Sequence, residues 1–206
     1  MPTFEIESTF TGLVGGVDEV GRGPWAGPVI AAAAVFLEPS TLPLSLREGI
    51  QDSKKLSKAK REFIYHELMT LKDFHFGMGQ ASVEEIDRMN ILQATYLAMR
   101  RAVEALPQKP PVLLIDGKQI PSFEGIQTCP VIGGDGLSLS IAAASIIAKV
   151  IRDRFMEDLS KDHPFYGWET NAGYGTAHHQ NALKIHGITP HHRRSFAPIR
   201  QMGGAC

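Results

Sequence analysis

Two adjacent carboxylates in an apolar segment, Asp18 and Glu19, constrain this chain more than any other feature. An apolar run, 13–17, precedes them, a Gly-Arg-Gly-Pro turn at 21–24 follows, and a second apolar run covers Val29–Phe36. This order predicts a strand that ends in acid, a glycine turn and a second strand. Neighbouring like charges repel and resist desolvation, so solvent or a cation must lie beside them. Because glycines allow another backbone to approach closely, we take this segment as the candidate site.

The composition of the 206-residue chain is that of an ordinary soluble globular protein, with 43% hydrophobic and 21% charged residues. The net charge of −1 gives no global basic excess, so nucleic-acid binding would need a local basic patch. Two cysteines, Cys129 and Cys206, form neither a disulfide framework nor a zinc spacing. The apolar runs 26–37 and 137–148 are shorter than the roughly 20 residues of a membrane span. We therefore expect a cytoplasmic protein with no membrane partner.

The rest of the pattern alternates strands and helices, which predicts one α/β domain over residues 1–206. Ser82 and Glu85 form a predicted capping box, and Asn90 is expected to divide the helical region that follows. Further strands are predicted at 74–81, 112–115 and 126–132, helices at 58–72, 82–106, 137–159 and 176–186, loops at 38–51 and 163–174, and a frayed tail at 200–206.

Four carboxylates follow apolar strands and adjoin glycines: Asp18, Glu19, Asp116 and Asp135. Sites in α/β sheets gather at strand ends. Hard oxygen ligands without cysteine suit Mg²⁺ or Mn²⁺, and two such ions can clamp the attacking and leaving oxygens of a phosphoryl displacement. Successive strand residues point to opposite faces, so Asp18 and Glu19 share a site only if the chain bends or one acts through its backbone carbonyl.

A lone aspartate at a strand end is more often a turn or N-cap residue, and Asp135 also suits the start of the long helix that follows it. Three separate junctions between a strand and an acid, one of them doubled, make coincidence a weaker explanation. The residues alone therefore leave two interpretations open: a metal-dependent phosphoryl-transfer enzyme, and structural roles for the individual acids.

Several motifs, in one order, resemble those of type 2 ribonuclease H (ribonuclease HII) of the bacterial type. The resemblance runs from about residue 13 to 199, and a chance match of all the motifs in sequence is improbable. The matching motifs are DEVGRGP and AGP at 18–28, DSKKLS at 52–57, IDG at 115–117, GD at 134–135 with SIAAASIIAKV and RDR at 140–154, GYGTAH at 173–178, and TP and HRRSF at 189–196.

This resemblance implies a ribonuclease H-like fold, with a central five-stranded mixed sheet flanked by helices and a helical C-terminal segment. It implies that Asp18, Glu19, Asp116 and Asp135 bind two divalent ions, Mg²⁺ or Mn²⁺, and catalyse hydrolysis. The implied activity is endonucleolytic cleavage of RNA in RNA–DNA hybrids and incision at ribonucleotides embedded in duplex DNA, as in ribonucleotide excision repair. The implied products carry 3′-hydroxyl and 5′-phosphate ends.

The chain departs from the family pattern around the fourth acid. The family usually has Lys-Gly-Asp-Ala before its alanine-rich helix, whereas this chain has Gly133, Gly134, Asp135 and Gly136. The change removes a positive charge beside Asp135, and the added glycines loosen the backbone that orients it.

The resemblance also assigns the recognition of ribose. The backbone of Gly21, Arg22 and Gly23 would contact the 2′-hydroxyl, which separates RNA from DNA at a given nucleotide. Tyr174 would stack on the neighbouring deoxyribose; its alternative role is a loop anchor on Trp168 or Phe165. We expect Gly21→Val to impair use of the substrate more than folding.

Basic residues elsewhere suit phosphate contacts but have simpler explanations. Lys54, Lys55 and Lys58 form a cluster that could equally be a solvated surface. The segment His192-Arg193-Arg194 could contact the phosphate backbone, with Arg194 as the candidate ligand, or be an ordinary tail. His178 and His179 are expected to be surface residues.

Two other functions remain open on the sequence. One is a nucleic-acid-binding module with the same fold and no catalysis, although four carboxylates facing phosphate oppose binding unless a cation intervenes. The other is a 3′ exonuclease of the same fold, which would lack the Gly-Arg-Gly turn and the Gly-Tyr-Gly-Thr motif. The expected partners are RNA–DNA hybrids and ribonucleotide-containing DNA, and nothing in the sequence requires more than a monomer.

Overall fold

A five-stranded mixed sheet forms the centre of the protein, as the sequence predicts, in the order β3-β2-β1-β4-β5. The computed structural model describes residues 1–203, so Cys206 and the end of the predicted tail lie outside the described residues. The strands are β1 (Val14–Val20), β2 (Val29–Phe36), β3 (Phe74–Ala81), β4 (Val112–Asp116) and β5 (Gln127–Val131).

The strand directions bring the candidate acids to one end of the sheet. β1 pairs antiparallel with β2, which pairs antiparallel with β3. On its other side β1 runs parallel to β4, and that ladder ends at the pair Val17 and Ile115. Asp18 and Asp116 each follow one member of this last pair, so the two acids emerge side by side where the strands separate.

Helices cover both faces of the sheet. Because β2 is covered on both sides, all eight of its residues are buried. The long helix α5 packs on one face and α4 on the other. The helices are α1 (Leu44–Gly49), α2 (Lys58–Thr70), α3 (Val83–Met89), α4 (Ile91–Glu104), α5 (Leu139–Asp162), α6 (Trp168–Asn171), α7 (Ala177–His186) and α8 (Ala197–Gly203).

The small residues of α5 allow it to lie against the backbone of β1. A Cβ placed on Gly16 would lie 2.1 Å from the carbonyl carbon of Ser140, so only glycine fits there. The alanines Ala142, Ala143 and Ala144 are fully buried beneath the sheet. This close approach brings Ser145, one residue further along α5, to the acidic end of β1.

Three short helices lie where the sequence predicts loops or a frayed tail, and those parts of the prediction are wrong. Helix α1 lies within 38–51, α6 within 163–174, and α8 continues the chain through 197–203. Each buries one apolar side chain: Leu46, Trp168 or Ile199. Helices this short have too few turns for apolar periodicity, so tertiary packing determines them.

The predicted helix boundaries between β3 and β4 are confirmed. Ser82 and Glu85 form the capping box at the start of α3. Asn90 ends α3 with φ 71° and caps α4 by accepting from the N–H groups of Leu92 and Gln93. Within residues 1–203, no helix is long and apolar enough to cross a membrane.

Candidate active site

Asp18 lies on the α5 face of the sheet, at the end of the β1–β4 ladder. Its pairing partner on β2 is Ala32, which belongs to the apolar cluster against α5. The residue is 4% exposed, and its carboxylate accepts from the backbone N–H of Glu19 at 2.7 Å. Strand β1 thus continues through both acids to Val20, instead of ending at them as the sequence predicts.

Glu19 points to the opposite face of the sheet, towards α4. Its partner Ala31 packs in the cluster against α4, as strict strand alternation requires. Glu19 and Asp116 line a cavity of about 330 Å³ together with Tyr96 of α4. Asp18 and Asp116 therefore share the α5 face, and Glu19 approaches Asp116 from the α4 side at the point where β1 and β4 separate.

Asp135 reaches the same region from the short 3₁₀ turn Gly134–Gly136 that precedes α5. The N–H of Gly134 donates to the Asp116 carboxylate at 2.7 Å, which ties this turn to the end of β4. The Nζ of Lys54 lies 3.6 Å from the Asp135 carboxylate, so a lysine from a distant segment supplies positive charge there. Gly133 adopts φ 66°, a left-handed conformation that suits glycine.

The pKa shifts of the acids show that they share one electrostatic environment. Burial, and then the charges of Glu19 and Asp116, raises the pKa of Asp18 well above its ordinary value. Burial also raises the pKa of Glu19, against the opposing effect of Arg22, and Asp116 adds to the increase. Burial and the charge of Asp52 raise the pKa of Asp135, while Lys54 opposes that shift. A nearby cation would relieve all three acids.

The carboxylates suit a divalent ion that keeps much of its own hydration. Within residues 1–203, no group of three or more His, Cys, Asp or Glu side chains is close enough to enclose a metal ion. Mg²⁺ usually binds through one or two carboxylates, several waters and substrate phosphates rather than in an all-protein cage. Buried carboxylates that repel one another match that type of binding, so the donor set fits Mg²⁺ or Mn²⁺.

The Gly-Arg-Gly turn lies directly against Tyr174. A Cβ built on Gly23 would lie 3.3 Å from Cε1 of Tyr174, and the tyrosine is 48% exposed. The ring is thus presented to solvent beside the turn. Phe165 stacks on His186, and Trp168 is fully buried against Tyr166. Both rings thus pack against residues other than Tyr174, which does not support its alternative role as a loop anchor on them.

Gly21 has a structural role that the sequence does not reveal. Its φ is 95°, and a Cβ there would lie 2.2 Å from Nε of Arg152 and 2.9 Å from the carbonyl oxygen of Pro28. Arg22 and Gly23 are exposed, whereas Gly21 is buried. The first glycine therefore closes the turn against α5, and the exposed part of the turn is available to a ligand.

The basic residues divide into exposed and buried sets. Arg194 is exposed, and its backbone N–H donates to Asp87 at 2.9 Å. Lys54 and Lys55 are also exposed, and Lys55 lies 3.8 Å from Asp52. Arg193 is fully buried, so its predicted phosphate contact or simple tail position is wrong. The exposed residues remain candidates for phosphate contact.

Two histidines assigned to the surface or tail by sequence, His179 and His192, are also fully buried. Their Nε2 atoms lie 3.0 Å apart, and Nδ1 of His192 accepts from the backbone N–H of Thr189. His192 must then donate through Nε2, which leaves His179 to donate from Nδ1 to the carbonyl oxygen of Tyr174 at 2.9 Å. This chain of bonds holds the Tyr174 loop with both rings neutral.

Because His179 and His192 are buried and neutral, we expect the folding stability of the protein to fall at acid pH. Burial, and then the charge of His179, lowers the pKa of His192 to about 3. The unfolded chain takes up this proton below about pH 6.5, whereas the folded chain does not, so stability falls as pH falls between these values, by up to about 1.4 kcal/mol per pH unit. Urea unfolding at pH 7 and pH 5 measures the change. In His192→Gln the loss on acidification should be smaller; in the exposed control His66→Gln it should match the wild type.

Solved structures with the same fold identify the class of protein. The ribonuclease H2 of Pyrococcus horikoshii OT3 superposes with a TM-score of 0.75 at 27% identity, over 92% of this chain and 96% of that one. Bst-RNase HIII in complex with Mn²⁺ gives a TM-score of 0.64 at 20% identity, over 92% of this chain and 68% of that one. The fold is that of the type 2 ribonucleases H and their relatives.

Sequence comparison identifies the family within this class. The family model described as ribonuclease HII matches residues 15–199. The ribonuclease HII of Paramagnetospirillum magneticum (strain ATCC 700264 / AMB-1) is 58% identical over 201 residues, covering 98% of both chains. This chain belongs to the ribonuclease HII family. It is a ribonuclease H, a hydrolase of the class that cleaves RNA in RNA–DNA hybrids, so the binding-only and exonuclease alternatives are set aside.

Proposed function

We propose that this enzyme incises the RNA strand of RNA–DNA hybrids and also cuts at single ribonucleotides embedded in duplex DNA, as the first step of their excision. Cleavage leaves 3′-hydroxyl and 5′-phosphate ends and depends on two divalent ions, Mg²⁺ or Mn²⁺. One chain supplies every residue of this proposal, and we propose that the active form is a monomer. The convergence of Asp18, Glu19, Asp116 and the Asp135 turn where β1 and β4 separate is the observation that carries it.

Asp18, Glu19, Asp116 and Asp135 would hold the ions. When bound, the ions supply Lewis-acid charge that offsets the phosphate and lowers the cost of deprotonating a water. The chain itself holds two of the carboxylates in place: the Gly134 N–H donates to Asp116, and Lys54 lies beside Asp135. Bst-RNase HIII, which has the same fold, was solved in complex with Mn²⁺, and by analogy this supports divalent-ion dependence.

The exposed part of the Gly-Arg-Gly turn, beside the acids, is proposed to recognise ribose. Arg22 and Gly23 expose backbone on the surface that Tyr174 borders, and Gly23 has no side chain to hinder a sugar. An exposed backbone group can recognise a 2′-hydroxyl, and the neighbouring tyrosine ring can stack on the adjoining sugar. Lys54, Lys55 and Arg194 are proposed to contact phosphates, where each contributes a salt-dependent increment of affinity.

Three substrates test the proposal: duplex DNA with one ribonucleotide, a long RNA–DNA hybrid, and single-stranded DNA. Each is incubated with Mg²⁺, with Mn²⁺ and with chelator, and the product ends are tested by phosphatase and ligase treatment. We expect internal cuts in the first two substrates, with either ion, and none with chelator. Binding without incision, or degradation of DNA from its ends, would contradict the proposal.

A further inference from the structure

The carbonyl groups of the Gly-Arg-Gly turn point into the protein, towards one buried side chain. The guanidinium of Arg193 donates to the carbonyl oxygen of Gly21 at 2.6 Å and to that of Arg22 at 3.0 Å. The same side chain donates to Gly27 at 2.9 Å and to Pro28 at 3.1 Å. One planar group therefore holds both ends of the loop between β1 and β2.

This arrangement determines where the N–H groups of the turn point. In a planar trans peptide the N–H points away from the C=O, and the described residues contain no cis peptide. Because the Gly21 and Arg22 carbonyls point inward, the N–H groups of Arg22 and Gly23 point outward. Within residues 1–203, neither N–H donates to another backbone carbonyl. Two adjacent outward N–H groups are thus available to an electron-rich ligand atom.

A second buried arginine joins this turn to the tyrosine that borders it. Arg152 of α5 donates to the carbonyl oxygens of Ala26, Pro28 and Ala172, at 3.2, 3.1 and 2.9 Å. Ala172 lies two residues before Tyr174, and the N–H of Trp25 donates to the carbonyl of Gly173 at 2.8 Å. The turn and the tyrosine loop are therefore held on one framework.

Burying the two charged guanidinium groups costs free energy, which indicates that they have a role beyond packing. Burial, and then the charge of Arg152, lowers the pKa of Arg193 to about 9, and burial lowers the pKa of Arg152 to about 10. Both side chains keep their charge at neutral pH, although their hydrogen bonds go to carbonyl oxygens rather than to carboxylates. Apolar residues of similar volume often stabilise a protein more than buried charges do.

We propose that Arg193 is the positioning residue for ribose recognition: it orients the Arg22 and Gly23 N–H groups towards the 2′-hydroxyl, with Arg152 aligning Tyr174 beside them. This inference deepens the proposed function and rests on it. Arg193 contacts no substrate atom, since it is fully buried. Its neighbour Arg194 is exposed, so the two adjacent arginines have different roles.

The test compares the affinity for ribose-containing and all-deoxy substrates. KM is measured for incision of duplex DNA with one ribonucleotide, and Ki for an all-DNA duplex of the same sequence used as competitor. We expect Arg193→Lys to raise KM about a hundredfold, towards Ki, because each of the two hydrogen bonds lost from the 2′-hydroxyl changes the affinity by up to about tenfold. Ki should stay within about twofold, since phosphate contacts carry no information on the sugar.

Arg47→Lys is the matched control. Arg47 donates to the carbonyl oxygen of Pro39 at 3.0 Å, away from the acids, and its replacement should leave KM and Ki unchanged. A purely structural role for Arg193 predicts fewer active molecules, which lowers kcat without changing KM. An unchanged ratio of KM to Ki in folded Arg193→Lys would therefore overturn the inference.

A second variant keeps the test decisive if Arg193→Lys does not fold. Asp87 of α3 accepts from the N–H groups of Arg194 and Ser195 and from the Ser195 hydroxyl, so it fixes the backbone beside Arg193. Asp87→Ala should raise the ratio of KM to Ki by a smaller factor than Arg193→Lys does, and an unchanged ratio would refute the positioning role. Failure of the proposed function gives a different result: the wild type itself would show no incision, or a KM equal to Ki.

Discussion

Asp18→Asn is expected to lower the rate of incision at least about a thousandfold, with Mg²⁺ or Mn²⁺, while duplex binding persists. The neutral amide keeps the size of the carboxylate but removes one anionic ligand from the group formed with Glu19 and Asp116. The loss should appear in kcat more than in KM, because Asp18 is proposed to hold an ion at the reacting phosphate and not to contact the phosphates that bind the duplex.

The same substitution is expected to stabilise the metal-free protein. The pKa of Asp18 is raised in the folded state by burial and by neighbouring carboxylates. The folded chain therefore holds this proton more tightly than the unfolded chain does, and above the raised pKa the buried charge costs stability. Asparagine removes that cost, so the thermal midpoint at neutral pH should rise even as activity disappears.

Thermal unfolding with and without Mg²⁺ checks both effects together. The ion should raise the midpoint of the wild type, since it binds only the folded state, and should raise that of Asp18→Asn less. Asp73→Asn is the control, because Asp73 is exposed and immediately precedes β3, whose first residue pairs with Phe36 at the opposite end of β2 from the acids. Near-normal incision by Asp18→Asn, or a midpoint below that of the control, would contradict the role assigned to this carboxylate.

The five strands could be predicted from sequence, whereas the end of β1 and the way the acids meet could not. The alternation of apolar runs with acids and glycines predicts the five strands and correctly places Asp116 at the end of β4, but β1 continues past Asp18 to Val20. It leaves open how Asp18 and Glu19 share a site. The structure shows no bend: β1 is regular, Asp18 and Glu19 point to opposite faces, and the early end of the β1–β4 ladder brings Asp116 to the same end of the sheet.

Buried polar residues are the part of the site that sequence reasoning missed. For Arg152 a signal existed, because Ser145, Ala148, Arg152 and Met156 follow helical spacing on one buried face of α5. For Arg193 there was none: it stands beside an exposed arginine in an irregular segment. Only the tertiary contacts of four carbonyl oxygens distinguish the two, and local propensity carries no information on such contacts.

The two glycines of the turn are expected to differ sharply when they are substituted. Gly21→Val should destabilise the fold by about 2–5 kcal/mol, because a branched residue is strained at φ 95° and its Cβ would collide with Arg152. The sequence alone predicts that Gly21→Val impairs substrate use more than folding, whereas the contacts of Gly21 lead us to expect a large loss of folding stability. Urea unfolding should show this loss, with activity falling in parallel.

Gly23→Ala should have the reverse effect. Its Cβ would lie 3.3 Å from the Tyr174 ring, a contact relieved by a shift of a few tenths of an ångström, so stability should change by less than about 1 kcal/mol. The added methyl group stands where the sugar must approach, and KM for ribonucleotide-containing duplex should rise about tenfold or more. Gly49→Ala in α1 is the control, since its Cβ would meet only ordinary contacts at 3.7–3.8 Å. Normal KM in Gly23→Ala would show that the sugar does not approach this turn, and the ribose-recognition site would have to lie elsewhere.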